Sequence, residues 1–187
     1  MIGRAGRIKS GAAVHPARGQ DCRRPSAAAE PYLLHLADEA ATAALARRIA
    51  VLCRAGDVLA LEGDFGTGKT TFARAFVRAR CTATEEVPSP TFTLVQIYPA
   101  AAKGEAPVYH FDLFRLQTGD EAVDLGIDDA FAEGISLIEW PERLGALLPP
   151  CRLDLAFRFG STEGSRILTV NAPDGDFLAR LKEAGVV

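Results

Sequence analysis

Eight consecutive residues, Gly63-Asp64-Phe65-Gly66-Thr67-Gly68-Lys69-Thr70, satisfy the pattern G-x-x-x-x-G-K-[ST] at every fixed position. Such a run works only as a joint between a strand and a helix, so it dictates the elements on both sides. Asp57-Val58-Leu59-Ala60-Leu61-Glu62 supplies a short apolar strand before it. Thr70 to Ala79 supplies a helical pattern after it. Glycines let the backbone wrap closely round a phosphate chain, through φ angles that other residues resist. The amides of residues 63–70 and the helix N-terminus then face phosphate oxygens. Lys69 adds a point charge for the β- and γ-phosphates and Thr70 a hydroxyl for Mg²⁺. Thr71 offers a hydroxyl to an α-phosphate oxygen.

A phosphate loop of this kind is paired with an acid on a neighbouring strand that holds the metal or its water. Two acids end β-rich runs: Asp112 follows Val108 to Phe111, and Glu139 follows Ile135 to Ile138. An α/β sheet gathers its site at such strand ends. The run before Glu139 is the cleaner buried strand, so Glu139 is the first choice for metal coordination. Asp112 then orients the metal's water or the attacking water. Trp140 fits either a ring packed on a base or a partner, or a core or rim aromatic. His110 reads as a packed strand residue. Thr91, in Ser89-Pro90-Thr91-Phe92-Thr93, stands where nucleotide switches place a hydroxyl near the γ-phosphate, but on the residues alone a proline turn with a strand-starting Thr is the preferred reading. Arg115 and Arg143 read as surface arginines before charge stabilisers.

The rest of the 187 residues fits around this joint. Residues 1–30 hold six Lys/Arg and two Asp/Glu, and the remainder 15 and 22, so an acidic domain follows a basic front end. A net charge of −3 argues against a generally basic nucleic-acid coat. Residues 1–30 lack an apolar period and are expected not to fold, which leaves one domain over 31–187. Tyr32 to Ala37 reads as an edge strand, and Asp38 caps a helix running towards Gly56. Phe92 to Tyr98 and Val108 to Phe111 read as strands, and Gly119 to Phe131 as helical or turn-rich. Leu153 to Phe159 and Arg166 to Val170 alternate as strands, and Asp176 to Ala184 closes as a helix. The pattern predicts an α/β, P-loop NTPase-like three-layer fold with a mixed central β-sheet flanked by helices. The four cysteines lack metal-ligand spacing and are expected to be reduced and inert. No apolar run is long enough for a membrane span, and no secretory signal is expected.

Taken together, the strings Gly63 to Thr71, Ser89-Pro90-Thr91-Phe92-Thr93-Leu94-Val95, Tyr109-His110-Phe111-Asp112-Leu113-Phe114-Arg115-Leu116, Leu125-Gly126-Ile127 and Ile138-Glu139-Trp140-Pro141-Glu142 resemble the bacterial TsaE family. The resemblance runs from about Leu33 to the C-terminus. It implies a cytoplasmic P-loop ATPase of tRNA threonylcarbamoyladenosine (t6A) biosynthesis, weak alone, that binds ATP or ADP and Mg²⁺. It implies TsaD and TsaB as protein partners, with tRNA reached indirectly. By the same resemblance, Lys69, Asp112 and Glu139 are catalytic, and Thr70 and Glu139 are the metal ligands. Glu39 lies near the adenine, and Thr91 and Trp140 join the nucleotide site. Phe114 stands where the family commonly has Tyr, so one hydroxyl is absent.

Three other functions compete. A small-molecule or nucleoside kinase would show an arginine-bearing lid, whereas residues 119–133 carry acids and no arginine. A GTPase would need Asn-Lys-x-Asp, which does not occur. A nucleotide-gated binding module with negligible turnover has the same sequence signature as an ATPase.

Overall fold

The computed structural model describes residues 31–172 and 176–187. A seven-stranded sheet runs in the order β1-β7-β6-β2-β5-β4-β3. Its centre is parallel: β2 (Val58–Glu62) pairs with β5 (Ile135–Glu139) on one side and β6 (Leu153–Phe159) on the other, and β5 pairs with β4 (Val108–Asp112). The edges are antiparallel, with β3 (Val95–Tyr98) on β4, β7 (Arg166–Asn171) on β6 and β1 (Tyr32–Leu36) on β7. The composition of the strands explains this order. β5 is buried at every position and β2 at all but its last, as strands covered on both faces must be. The expected mixed α/β architecture is therefore observed.

The two faces carry separate cores. Leu59, Leu61, Leu137 and Leu155 face α1 (Glu39–Ala50), α2 (Lys69–Arg80) and α5 (Asp176–Glu183). Val58, Phe111 and Ile138 face α3 (Glu121–Asp124), α4 (Ile127–Glu133) and a 3₁₀ segment over Pro141–Leu147. Alternation along each strand feeds both cores from the same backbone. Asp38 caps α1 as expected, its carboxylate accepting from the Ala41 amide at 2.8 Å.

Two expectations are corrected. The strand read over 92–98 begins only at Val95, because the Leu94 amide donates to the Pro90 carbonyl and Leu94 adopts a positive φ of 62°. The segment over 119–131, expected to be helical or turn-rich, is two helices parted at Gly126 with φ 76°. Helix α1 stops at Ala50, short of Gly56. Cys53 and Cys81 are free and buried, as expected of inert thiols, and burial pushes the Cys53 thiol well up. The expected unfolded extension over residues 1–30 lies outside the described residues.

The guanidinium of Arg180 docks α5. It donates to both oxygens of Asp57, at 2.9 and 3.1 Å, and to the Leu52 carbonyl at the end of α1. Removing Arg180 takes two charged hydrogen bonds from the buried Asp57 carboxylate, and losing one member of a buried pair is costly. Arg180→Met is therefore expected to lower the unfolding free energy by about 3 kcal/mol. Urea denaturation followed by circular dichroism measures this, and a change below about 1 kcal/mol would show that the pair is dispensable.

Candidate nucleotide site

The site lies at the C-terminal ends of β2, β4 and β5, where a parallel sheet opens a crevice. The loop between β2 and α2 bends through Gly63 (φ 133°), Gly66 (φ 74°) and Gly68 (φ 108°). At Gly63 the need for glycine is also spatial: an added Cβ would stand 2.4 Å from the Phe157 carbonyl oxygen and 2.9 Å from Thr67 Oγ1. The Thr67 hydroxyl turns inward and donates to the Asp64 carbonyl at 2.8 Å.

Lys69 opens α2 and curls back over its own loop. Its Nζ donates to the carbonyls of Gly63 (2.6 Å) and Asp64 (2.9 Å) and stands 4.2 Å from the centre of the Trp140 ring. Burial pushes the ammonium below its usual lysine value, while Glu139 and Asp112 oppose that shift. The next residue, Thr70, donates to the carboxylate of Glu139 at 3.0 Å from either oxygen. His110 Nε2 lies 2.9 Å from Glu139 Oε1.

Asp112 and Glu139 are register partners across the parallel β4–β5 pair. Asp112 accepts from two hydroxyls, Thr91 at 2.7 Å and Ser89 at 2.9 Å, and from the Phe114 amide at 3.2 Å. The two acids thus have different surroundings. Glu139 faces the start of α2, and Asp112 faces the 89–94 loop.

Trp140 follows Glu139 in the left-handed region, φ 60° and ψ 51°. A bulky residue there stores strain, on the order of 1–3 kcal/mol. Its ring closes a trio with Phe65 and Phe114, all centroids within 5.1 Å of one another. Phe114 takes part through its ring and needs no hydroxyl for that contact.

An open pocket of about 210 Å³ is lined by Phe65, Lys69, Thr70, Thr91, Asp112, Glu139 and Trp140, among others. Of the candidates read from the sequence, Glu39, Gly63, Asp64 and Thr67 are not on this wall. Glu39 lines a neighbouring recess of about 160 Å³ with Thr42, Gly66, Gly68, Thr71 and Arg166. Gly66, Gly68 and Thr71 line both spaces. Arg115 instead stacks on Phe92 at 4.3 Å, and Arg143 reaches the Leu116 carbonyl. Neither lines the pocket.

Three residues escape the sequence reading. Ser89 shares Asp112 with Thr91. His110 is not only packed but bonded to Glu139. Arg166, from β7, donates to the carbonyls of Gly66 and Thr67 at 2.9 Å each and stacks on Phe159 at 4.9 Å. Nothing near Arg166 in the sequence points to a loop a hundred residues earlier; only the β6–β7 hairpin brings it there.

The donor set is all oxygen, one hydroxyl and carboxylates, which suits Mg²⁺ rather than a softer metal. Among the described residues no three His, Cys, Asp or Glu side chains cluster as a protein-only metal cage.

The sequence model of a family described as "Threonylcarbamoyl adenosine biosynthesis protein TsaE" matches residues 36–167. The chain is 41% identical over 118 residues to "tRNA threonylcarbamoyladenosine biosynthesis protein TsaE" of Bacillus subtilis, a span covering 63% of this chain and 71% of that protein. The protein of the same name from Nostoc is 35% identical over 155 residues, covering 78% and 91%. The crystal structure of Bacillus subtilis YdiB superposes with a TM-score of 0.70 at 29% identity, over 86% of this chain and 98% of that one.

The loop glycines differ in what a side chain would meet. Gly63→Ala combines a positive φ with a backbone clash, whereas Gly68→Ala meets nothing within 4 Å and carries only the φ penalty. Gly68→Ala is expected to cost about 1 kcal/mol, and Gly63→Ala more than twice that. Thermal denaturation of the two variants checks the order; equal losses would show that the Phe157 carbonyl yields freely.

Proposed function

The chain belongs to the TsaE family, and from that premise we propose that it is the nucleotide-driven component of tRNA t6A modification, binding and hydrolysing Mg-ATP with TsaD and TsaB. One observation supports the ATPase reading above the rest. A phosphate-loop lysine and threonine meet two strand-end acids in one pocket, with Thr70 bonded to Glu139 and Asp112 beside it in register.

In this reading the loop amides and Lys69 hold the β- and γ-phosphates. Lys69 leaves the carbonyls of Gly63 and Asp64 to do so. Thr70 and Glu139 would hold Mg²⁺, which when bound neutralises phosphate charge. Asp112 orients the water that attacks the γ-phosphorus in line, and Thr91 and Ser89 orient Asp112. Trp140 and the Phe65 ring wall the phosphate end of the pocket. Glu39 and Thr71 line the recess where the nucleoside end of ATP would lie. TsaD carries the transferase chemistry, tRNA is reached through TsaD and TsaB, and the setting is the cytoplasm. Among the described residues no helix is long and apolar enough to cross a membrane.

The test is ATP hydrolysis by the purified chain, alone and with TsaD and TsaB. Turnover should rise with the partners and vanish in Lys69→Ala. Glu139→Ala should lose Mg²⁺-dependent turnover by on the order of 10²-fold while still binding nucleotide. Absence of stimulation with intact ATP binding would favour a nucleotide-gated binding module. Phosphorylation of a free nucleoside would establish a kinase instead.

A further inference from the structure

His110 is the most buried polar side chain next to the site, with no exposed surface. It stands on β4 two residues before Asp112, level with Leu137 on β5. Its Nε2 meets Glu139 Oε1 at 2.9 Å, and its Nδ1 has no hydrogen-bond partner among the described residues. An unmet buried polar atom carries a desolvation cost that an aliphatic side chain in the same place would avoid. The imidazole therefore makes sense there through its single polar contact. With Nδ1 unpartnered, the arrangement of lowest cost puts the proton on Nε2, which donates to Glu139.

Glu139 has two anchors on different elements. Thr70 sits on the first turn of α2, directly after the glycine loop. His110 sits inside the sheet, on a strand paired with that of Glu139. Oε1 is shared between His110 and Thr70, whereas Oε2 receives only Thr70 among the described residues. We propose that His110 is a positioning residue for Mg²⁺ binding: it pins Oε1 of Glu139 from within the sheet and leaves Oε2 to the metal. This rests on Glu139 being the metal acid. Groups that hold a metal's own ligands in place change metal affinity by roughly 10- to 100-fold when removed.

The 187-residue chain carries its own probe, since Trp140 is its only tryptophan and directly follows Glu139. Trp140 fluorescence is titrated with Mg²⁺ in the presence of a non-hydrolysable ATP analogue, for wild type, His110→Leu and His110→Gln. His110→Leu should raise the half-saturating Mg²⁺ concentration at least tenfold, with Mg²⁺-free nucleotide binding unchanged. His110→Gln restores an N–H donor and should return to within about threefold of wild type. Equal Mg²⁺ dependence in wild type and His110→Leu overturns the proposal, and so does an equal loss in both variants, which would indicate packing alone. Should His110→Leu not fold, ¹⁵N NMR of histidine-labelled wild type decides: a proton on Nε2 supports the proposal, and one on Nδ1 alone overturns it. Absence of any Mg²⁺ response in the wild type overturns the metal reading on which this rests, whereas a normal wild-type response with an unaltered Leu variant overturns only the role of His110.

Discussion

The carboxylate of Glu139 is 2% exposed, and a charge so far from water persists only where donors surround it. That need ties together three elements that are distant in sequence. Its backbone belongs to β5, its hydroxyl donor comes from the first turn of α2, and its imidazole partner comes from β4. For Thr70 to reach it, α2 must begin where the glycine loop ends, directly above the sheet. For His110 to reach it, β4 must lie beside β5 in one particular register. The loop, the helix start and the central sheet order are thus parts of a single electrostatic solution.

Around that centre the support comes from residues with little chemistry of their own. Arg166 holds two loop carbonyls from the antiparallel side of the sheet. The aromatic trio of Phe65, Phe114 and Trp140 covers the other side, and the Trp140 ring both packs on the second core and stands against Lys69. The two apolar cores give the strands no freedom to shift beneath these contacts. Most of the stabilisation lies in those cores, as expected for a domain in which hydrophobic burial is the main favourable contribution.

Much of this was legible from local pattern. The glycine loop declared its strand and helix, the Asp38 cap announced α1, and apolar runs ending in Asp112 and Glu139 placed both acids at one sheet edge. What stayed hidden depended on contacts between distant segments. His110 looked like any strand histidine until β5 supplied its partner. Arg166 looked like the opening residue of a hairpin strand. The β-rich run from Phe92 suggested a longer strand, but a turn closed by the Pro90 carbonyl overrides that propensity. The 3₁₀ segment after Trp140 went unread because short turns of this kind are set by packing more than by composition.

The register that sets Asp112 opposite Glu139 also governs how such a chain can change over generations. Because side chains alternate from face to face, one residue inserted within β4 or β5 would turn every later side chain of that strand to the wrong core and part the two acids. The connection between β3 and β4, residues 99–107, carries no such rule and is largely exposed. Insertions and deletions should therefore accumulate there, while the lengths of the two acid-bearing strands stay constant.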